Sequence, residues 1–152
     1  MKYFIDTEFI EYPCTIDLIS IALVAEDGRE FYAISSEFDE SKASQWVKKN
    51  VIKQLEPSIK RQSKKVIATK IKEFIGKDYS PEFWGYFCSY DWVVFMWLFG
   101  TMIDKPSNFP YYCKDIKQVI DGFCYDPPAQ KEGNHNALHD ARWVKTAYET
   151  YY

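Results

Sequence analysis

Five side chains have types and spacings suited to binding cations and moving protons. The first two, Asp6 and Glu8, lie two residues apart in a stretch that opens with apolar residues. On a strand they point to the same face, roughly 6–7 Å apart along the chain. Two carboxylates on one face of a core strand repel each other and lose hydration, which raises the pKa of at least one of them unless a cation lies between them. The pattern therefore indicates a divalent metal site, and the alternative is an edge strand whose acids face water.

A third carboxylate, Asp91, lies between a predicted strand that ends near Phe87 and an apolar helix that continues to Phe99. In open sheets with parallel strands, sites form at the carboxyl ends of those strands. Aspartate is also a good N-cap for a helix, and a capping role is compatible with a role in the site. The position of Asp91 therefore makes it a candidate to join Asp6 and Glu8.

The last two candidates, His135 and Asp140, are five residues apart. If both were helical they would point about 140° away from each other, so they share a site only if His135 precedes the helix. Asn136 is a suitable N-cap for that arrangement, and the helix dipole favours a carboxylate in the first turns. Two alternatives remain open: His135 is an isolated histidine on a surface loop, or it pairs with His139 to bind zinc.

Hydrophobic spacing predicts the elements that must position these residues. The predicted strands are Lys2–Phe9, Ile16–Ala25, Arg29–Ser35, Phe83–Phe87 and a short one near Tyr111–Cys113. The predicted helices are Trp46–Leu55, Val66–Ile75, Asp91–Phe99, one near Ile116–Ile120, and a last one that begins near Ala137. Asp27-Gly28 predicts a hairpin turn. The order indicates an α/β fold with a mixed five-stranded sheet, three antiparallel strands then two parallel ones, flanked by helices.

The composition is that of a folded protein, with 47% hydrophobic and 27% charged residues. A length of 152 residues suits a single domain over 1–152, and no repeat or linker divides it. No apolar run approaches the roughly 20 residues that span a bilayer. The first residues do not resemble a signal peptide, and the four cysteines lack C-x-x-C spacing, so we expect reduced thiols and a cytoplasmic location.

Charge is distributed unevenly along the chain. The segment from Ser41 to Lys77 contains eleven Lys or Arg and two Glu, which gives +9, while the whole chain carries −3. Such a separation suits a protein that meets a polyanion with one surface and holds cations at another. The simpler interpretation, which we favour on charge alone, is that these lysines form the solvated faces of amphipathic helices.

Taken together, these motifs resemble the DEDDh family of 3′–5′ exonucleases. The similarity lies in the D-x-E of the first strand, the mid-chain aspartate, and the segment His135–Ala141, H-N-A-L-H-D-A. Many relatives carry His-Asn a few residues before the mid-chain aspartate, where this chain reads G-Y-F-C-S-Y-D. With its short length and D-T-E-F start, the chain is most similar to a small bacterial branch that acts on RNA with single-stranded 3′ ends.

The resemblance implies an RNase H-like fold and a metal-dependent 3′–5′ exoribonuclease that releases nucleoside 5′-monophosphates. It implies two Mg²⁺ or Mn²⁺ ions held by Asp6, Glu8, Asp91 and Asp140, with His135 as general base. It also implies that Thr7 and Phe9 lie beside the substrate, although core packing explains Phe9 equally well. A DNA exonuclease and a non-catalytic nucleic-acid-binding module are the alternatives. A homodimer through the aromatic C-terminus is a further expectation.

Overall fold

The structure is a computed structural model that describes residues 1–130 and 135–152. Its strands are β1 (Lys2–Tyr12), β2 (Thr15–Ala25), β3 (Glu30–Ile34), β4 (Glu82–Gly85) and β5 (Lys114–Asp115). Its helices are α1 (Gln45–Asn50), α2 (Lys64–Ile75), α3 (Ser89–Trp97), α4 (Ile116–Gly122) and α5 (Ala137–Tyr151). Single 3₁₀ turns cover Glu40–Lys42 and Ile52–Gln54. Within these described ranges, no helix has the length and apolar character needed to cross a membrane.

The sheet has the strand order β3-β2-β1-β4-β5. β1 pairs antiparallel with β2, β2 pairs antiparallel with β3, and β1 and β5 both run parallel to β4. β1 is therefore central, with a hairpin partner on one side and a parallel partner on the other. The prediction of an α/β fold with three antiparallel strands followed by two parallel ones is confirmed.

Alternating side chains of β1 divide the interior into two layers. On one face, Tyr3 and Ile5 pack with residues of α2 and α3. On the other face, Phe4 packs with residues of α4 and α5, including Ala137 and Ala141. The two alanines are fully buried, so α5 lies close against the sheet. One strand thus separates the helices that carry the two later acidic motifs.

The predicted turn at Asp27-Gly28 is present. The amide of Gly28 donates to the carbonyl of Ala25 at 3.0 Å, and Gly28 adopts φ +90°. That left-handed conformation is one that glycine reaches without steric penalty.

The predicted helix from Trp46 to Leu55 is wrong as a continuous element. α1 ends at Asn50, and after Val51 a 3₁₀ turn follows. Val51 is the C-cap of α1 and is buried, although its backbone remains in the right-handed helical region at φ −114° and ψ −65°. Its packing against the end of the sheet overrides the helical spacing. Trp46, predicted on the apolar face of that helix, is exposed.

Two strand predictions in the second half of the chain need correction. β4 ends at Gly85 rather than Phe87, and β5 is Lys114–Asp115 rather than Tyr111–Cys113. Tyrosine favours strands in general, but the partners available beside β4 are Trp84 and Gly85, which pair with Lys114 and Asp115. Tyr111 and Tyr112 are exposed instead.

Candidate active site

The candidate site lies around the middle of β1, just beyond the last residue of β1 that pairs with β4, Phe4. Asp6 and Glu8 alternate with Thr7 along the strand, so the two acids share the face covered by α5. α5 contributes Asp140 from its first turn. A register shift in the pairing of β1 with β2 follows directly, between Glu8 and Phe9. Such irregularities redirect side chains locally, and they are common beside active sites.

The three carboxylates of Asp6, Glu8 and Asp140 approach closely. Each offers an oxygen atom, and these atoms all lie within 4.8 Å of one another. Carboxylate oxygens in a concave, partly buried site are the ligands that Mg²⁺ and Mn²⁺ prefer. The donor set therefore fits a hard divalent cation.

Asp91 reaches the same place from the other face of β1. It lies in the first turn of α3, whose N-cap is Cys88, so the capping role considered for Asp91 is wrong. Its Oδ1 accepts hydrogen bonds from the amide of Thr7 at 2.8 Å and from Thr7 Oγ1 at 2.6 Å. Asp91 is only 7% exposed, and these bonds fix its orientation next to Asp6.

His135 precedes α5, as the spacing of the motif predicts. Asn136 caps the helix by accepting from the amides of Leu138 and His139. The amide of His135 donates to Asp140 Oδ2 at 2.9 Å, and the side chain of Gln130 donates to Oδ1 of the same carboxylate. His135 adopts φ +69°, a left-handed conformation that is uncommon for residues with a side chain. The motif thus presents the imidazole beside the carboxylate that anchors its backbone.

Burial is the largest cause of the raised pKa values in the acidic cluster. Burial, followed by the charges of Asp140 and Asp91, raises the pKa of Glu8 to about 8. Burial, followed by the charges of Asp91 and Glu8, raises the pKa of Asp6 well above its ordinary value. Burial also raises the pKa of Asp91 to about 6, although the bonds from Thr7 oppose the change. Without a cation, the cluster therefore resists full ionisation at neutral pH.

All seven residues predicted for the site line one cleft of about 430 Å³. They are Asp6, Thr7, Glu8, Phe9, Asp91, His135 and Asp140. Thr7 is buried, and its amide and hydroxyl groups both donate to Asp91. The ring of Phe9 stacks on that of Tyr90 with centroids 6.0 Å apart. The catalytic, metal-binding and substrate-binding roles of these residues stay predictions.

Sequence reasoning missed three aromatic residues that line the cleft, Trp46, Tyr86 and Phe87. The Trp46 ring meets the His135 ring edge-on, with centroids 4.7 Å apart, and Trp46 is 54% exposed. The helical spacing around Trp46 pointed to the core and hid this contact. α1 belongs to the basic segment Ser41–Lys77, so one end of that segment borders the cleft.

The zinc alternative finds no support in the part of the chain that the structure describes. There, the metal-ligating group that forms is the set of three carboxylates, and it contains neither His135 nor His139. Trp92, which follows Asp91 in α3, packs among the rings of Phe83 and Phe95.

Comparison with known proteins identifies the family of the chain. The family model of the 3′–5′ exoribonuclease Rv2179c-like domain matches residues 1–152. The 3′–5′ exoribonucleases Rv2179c and MT2234.1, from two strains of Mycobacterium tuberculosis, are each 41% identical over 148 residues. That alignment covers 93% of this chain and 88% of each relative. The chain therefore belongs to the Rv2179c-like family of 3′–5′ exoribonuclease domains.

Proposed function

We propose that this exoribonuclease hydrolyses RNA from the 3′ end by a two-metal mechanism and releases nucleoside 5′-monophosphates one at a time. Asp6, Glu8, Asp91 and Asp140 hold two divalent cations, Mg²⁺ or Mn²⁺. When bound, these ions activate a water and stabilise the charge on the attacked phosphate and the leaving oxygen. The substrate is RNA with a single-stranded 3′ end or overhang.

The observation that supports this proposal best is the convergence of carboxylates from distant parts of the sequence. Oxygen atoms of Asp6, Glu8 and Asp140 lie within 4.8 Å of one another, although the residues are up to 134 positions apart. Burial and mutual repulsion make such a cluster unfavourable for the fold itself. A bound cation removes that penalty, which explains why the acids are gathered there.

Residues of the chain supply the general base, position the acidic groups and contact the substrate. His135 accepts the proton of the attacking water, a general-base role that histidine often fills. Asp140 holds the backbone of His135 through Oδ2, so the base and the acidic cluster keep a fixed relation. Thr7 holds Asp91 through two hydrogen bonds, and Phe9 lies against the terminal bases.

The experiment is an RNA ladder with a labelled 5′ end, incubated with Mn²⁺, with Mg²⁺ and with chelator. Stepwise shortening from the 3′ end is expected with either ion and none with chelator. Matched DNA substrates test the alternative of a DNA exonuclease. Binding of RNA without cleavage by the metal-loaded protein would support the alternative of a non-catalytic module and overturn the proposal.

The role of His135 has its own test. His135→Ala is expected to lower turnover far more than it weakens cation binding measured by calorimetry. Equal losses in both would instead indicate that the imidazole is a metal ligand. A cytoplasmic location and a homodimer are proposed on the sequence alone, and the oligomeric state can be measured by analytical ultracentrifugation.

A further inference from the structure

We propose that Phe87 is a stacking platform for a nucleobase of the bound RNA. The inference rests on the proposed function and deepens it, because it names the residue that receives the base. It starts from a conflict in the structure: Phe87 has an unfavourable backbone conformation, yet its ring contributes little to the core.

The backbone of Phe87 is left-handed, with φ +53°. This conformation crowds the Cβ atom and is a genuine outlier for a bulky residue, so surrounding structure must hold it in place. Backbone outliers of this kind cluster at ligand-binding sites, where the strained backbone directs a side chain toward the ligand.

Asp115 stabilises this backbone conformation of Phe87. Its Oδ1 accepts from the amide of Phe87 at 3.1 Å, and its Oδ2 accepts from the amide of Cys88 at 3.3 Å. The same Oδ1 caps α4 by accepting from the amide of Lys117 at 2.9 Å. Asp115 belongs to β5, which pairs with β4 just before Phe87. The turn is therefore tied at both ends to regular structure.

The ring itself remains available to a ligand. Phe87 is 63% exposed, although Tyr86 packs edge-on against it at 4.7 Å and Lys117 Nζ lies 5.6 Å from the ring centroid. It lines the same cleft as Asp6 and His135. A flat apolar surface next to the acidic cluster is thus held in place without being covered.

A nucleobase matches this surface in shape and chemistry. Stacking on an aromatic ring tolerates every base, which an enzyme that shortens RNA of any sequence requires. An exposed aromatic residue could instead contact a second copy of the chain, and the test includes that outcome.

The first measurement compares Phe87→Ala, Phe87→Gly and Phe87→Trp with the unchanged protein, by steady-state degradation of a single-stranded RNA. Loss of the ring is expected to raise KM about 5- to 150-fold with kcat unchanged, and Phe87→Trp is expected to restore KM. Phe123→Ala is the matched control, since Phe123 is 65% exposed and does not line the cleft. An unchanged KM in Phe87→Ala would overturn the proposal.

The second measurement removes the base rather than the ring. RNAs with one abasic nucleotide at each of the last four positions are compared on the unchanged protein and on Phe87→Ala. One abasic position is expected to raise KM for the unchanged protein and to have no further effect on the variant. Equal effects on both proteins at every position would show that no base stacks on Phe87.

Two controls separate the possible failures. If the unchanged protein does not shorten RNA, the proposed function fails; if it does so and the Phe87 variants match it, only this inference fails. Phe87→Gly should melt at a higher temperature than Phe87→Ala, because glycine alone relieves the left-handed conformation. Phe87→Ala with an unchanged KM but a smaller sedimentation coefficient would assign the ring to a contact between copies and overturn the nucleobase proposal.

Discussion

Carboxylates lie near both ends of the parallel pairing between β1 and β4, and their surroundings at the two ends differ. At the amino-terminal end, Glu82 accepts from Lys114 Nζ and from Trp84 Nε1, each at 2.5 Å. Nearby, Lys2 pairs with Glu26 at 3.2 Å. Each acid there has a basic partner.

At the carboxyl-terminal end, the acids meet one another instead. Among the ion pairs formed within residues 1–130 and 135–152, none joins Lys or Arg to Asp6, Glu8 or Asp91. Burial and neighbouring acids raise the pKa of Glu8 to about 8. Burial also acts to raise the pKa of Glu82, but the hydrogen bonds from Lys114 and Trp84 lower it below its ordinary value. The first end is neutralised by basic side chains of the protein, whereas the acids at the second end have no Lys or Arg partner among the described residues.

The largest contrast is expected in catalysis. Asp6→Asn should lower RNA degradation on the order of 10³-fold, because it removes a charge placed at the centre of the acidic cluster. Glu82→Gln is the matched control at the other end of the sheet, and it should keep full turnover. The assay is the labelled ladder with Mn²⁺. Near-normal activity in Asp6→Asn would contradict the role of the acidic cluster.

The next contrast is the pH dependence of stability in chelator. A carboxyl group whose pKa is raised on folding stabilises the folded state below its ordinary pKa, and that contribution is lost as pH rises through the folded value. For Glu8 the window runs from 4.5 to about 8. We expect the free energy of unfolding to fall by roughly 2–4 kcal/mol from pH 5 to pH 8.

Urea denaturation at a series of pH values measures this loss. Glu8→Gln should flatten much of the decline, because its side chain does not ionise, while Glu82→Gln should leave the slope as it is. A stability that rises steadily over the same range in the unchanged protein would show that the acids are not mutually destabilised.

A smaller effect is expected from added cation. At a hundredfold excess over its dissociation constant, a bound ion stabilises the fold by about 2.7 kcal/mol. Mg²⁺ or Mn²⁺ should therefore raise the melting temperature at pH 8 by about 5–10 °C, and by less at pH 5, where protons compete for Glu8. The shift should disappear in Glu8→Gln and persist in Glu82→Gln. Equal shifts in both variants would place the ion elsewhere.

The smallest effect concerns the neutralised end. Glu82→Gln should lower the free energy of unfolding by only about 1 kcal/mol, because the pair with Lys114 is about one-third exposed and screened by solvent. Lys114→Met in the Glu82→Gln background should then add little. A loss of unfolding free energy several times larger would show that the Glu82–Lys114 pair is a major source of stability.

The sequence was sufficient to predict the features that depend on local rules. Alternation along β1 places Asp6 and Glu8 on one face, and an N-cap at Asn136 places His135 before α5. Both follow from neighbouring residues, so they are readable without knowledge of the tertiary structure. The mixed sheet followed from the order of the elements, and it is confirmed. A single domain over 1–152 stays a prediction.

The contacts that were missed depend on residues far apart in the chain. Trp46 lies 89 positions before His135. The hydrogen bond from the amide of Phe87 to Asp115 joins residues 28 positions apart. Trp46 also satisfied a helical pattern, which predicted burial where the structure has exposure. β5 was misplaced because its two residues are selected by their pairing with β4 rather than by their own preference.

The position of the acids on both faces of β1 has a consequence for the order of assembly. Asp140 arrives with the layer of α5, whereas Asp91 arrives with the layer of α3, so neither layer alone completes the cluster. The cluster can form only after both helices have docked on the strand. On the proposed mechanism, which uses all four acids, RNA hydrolysis in a refolding experiment should consequently appear only after both helices have docked.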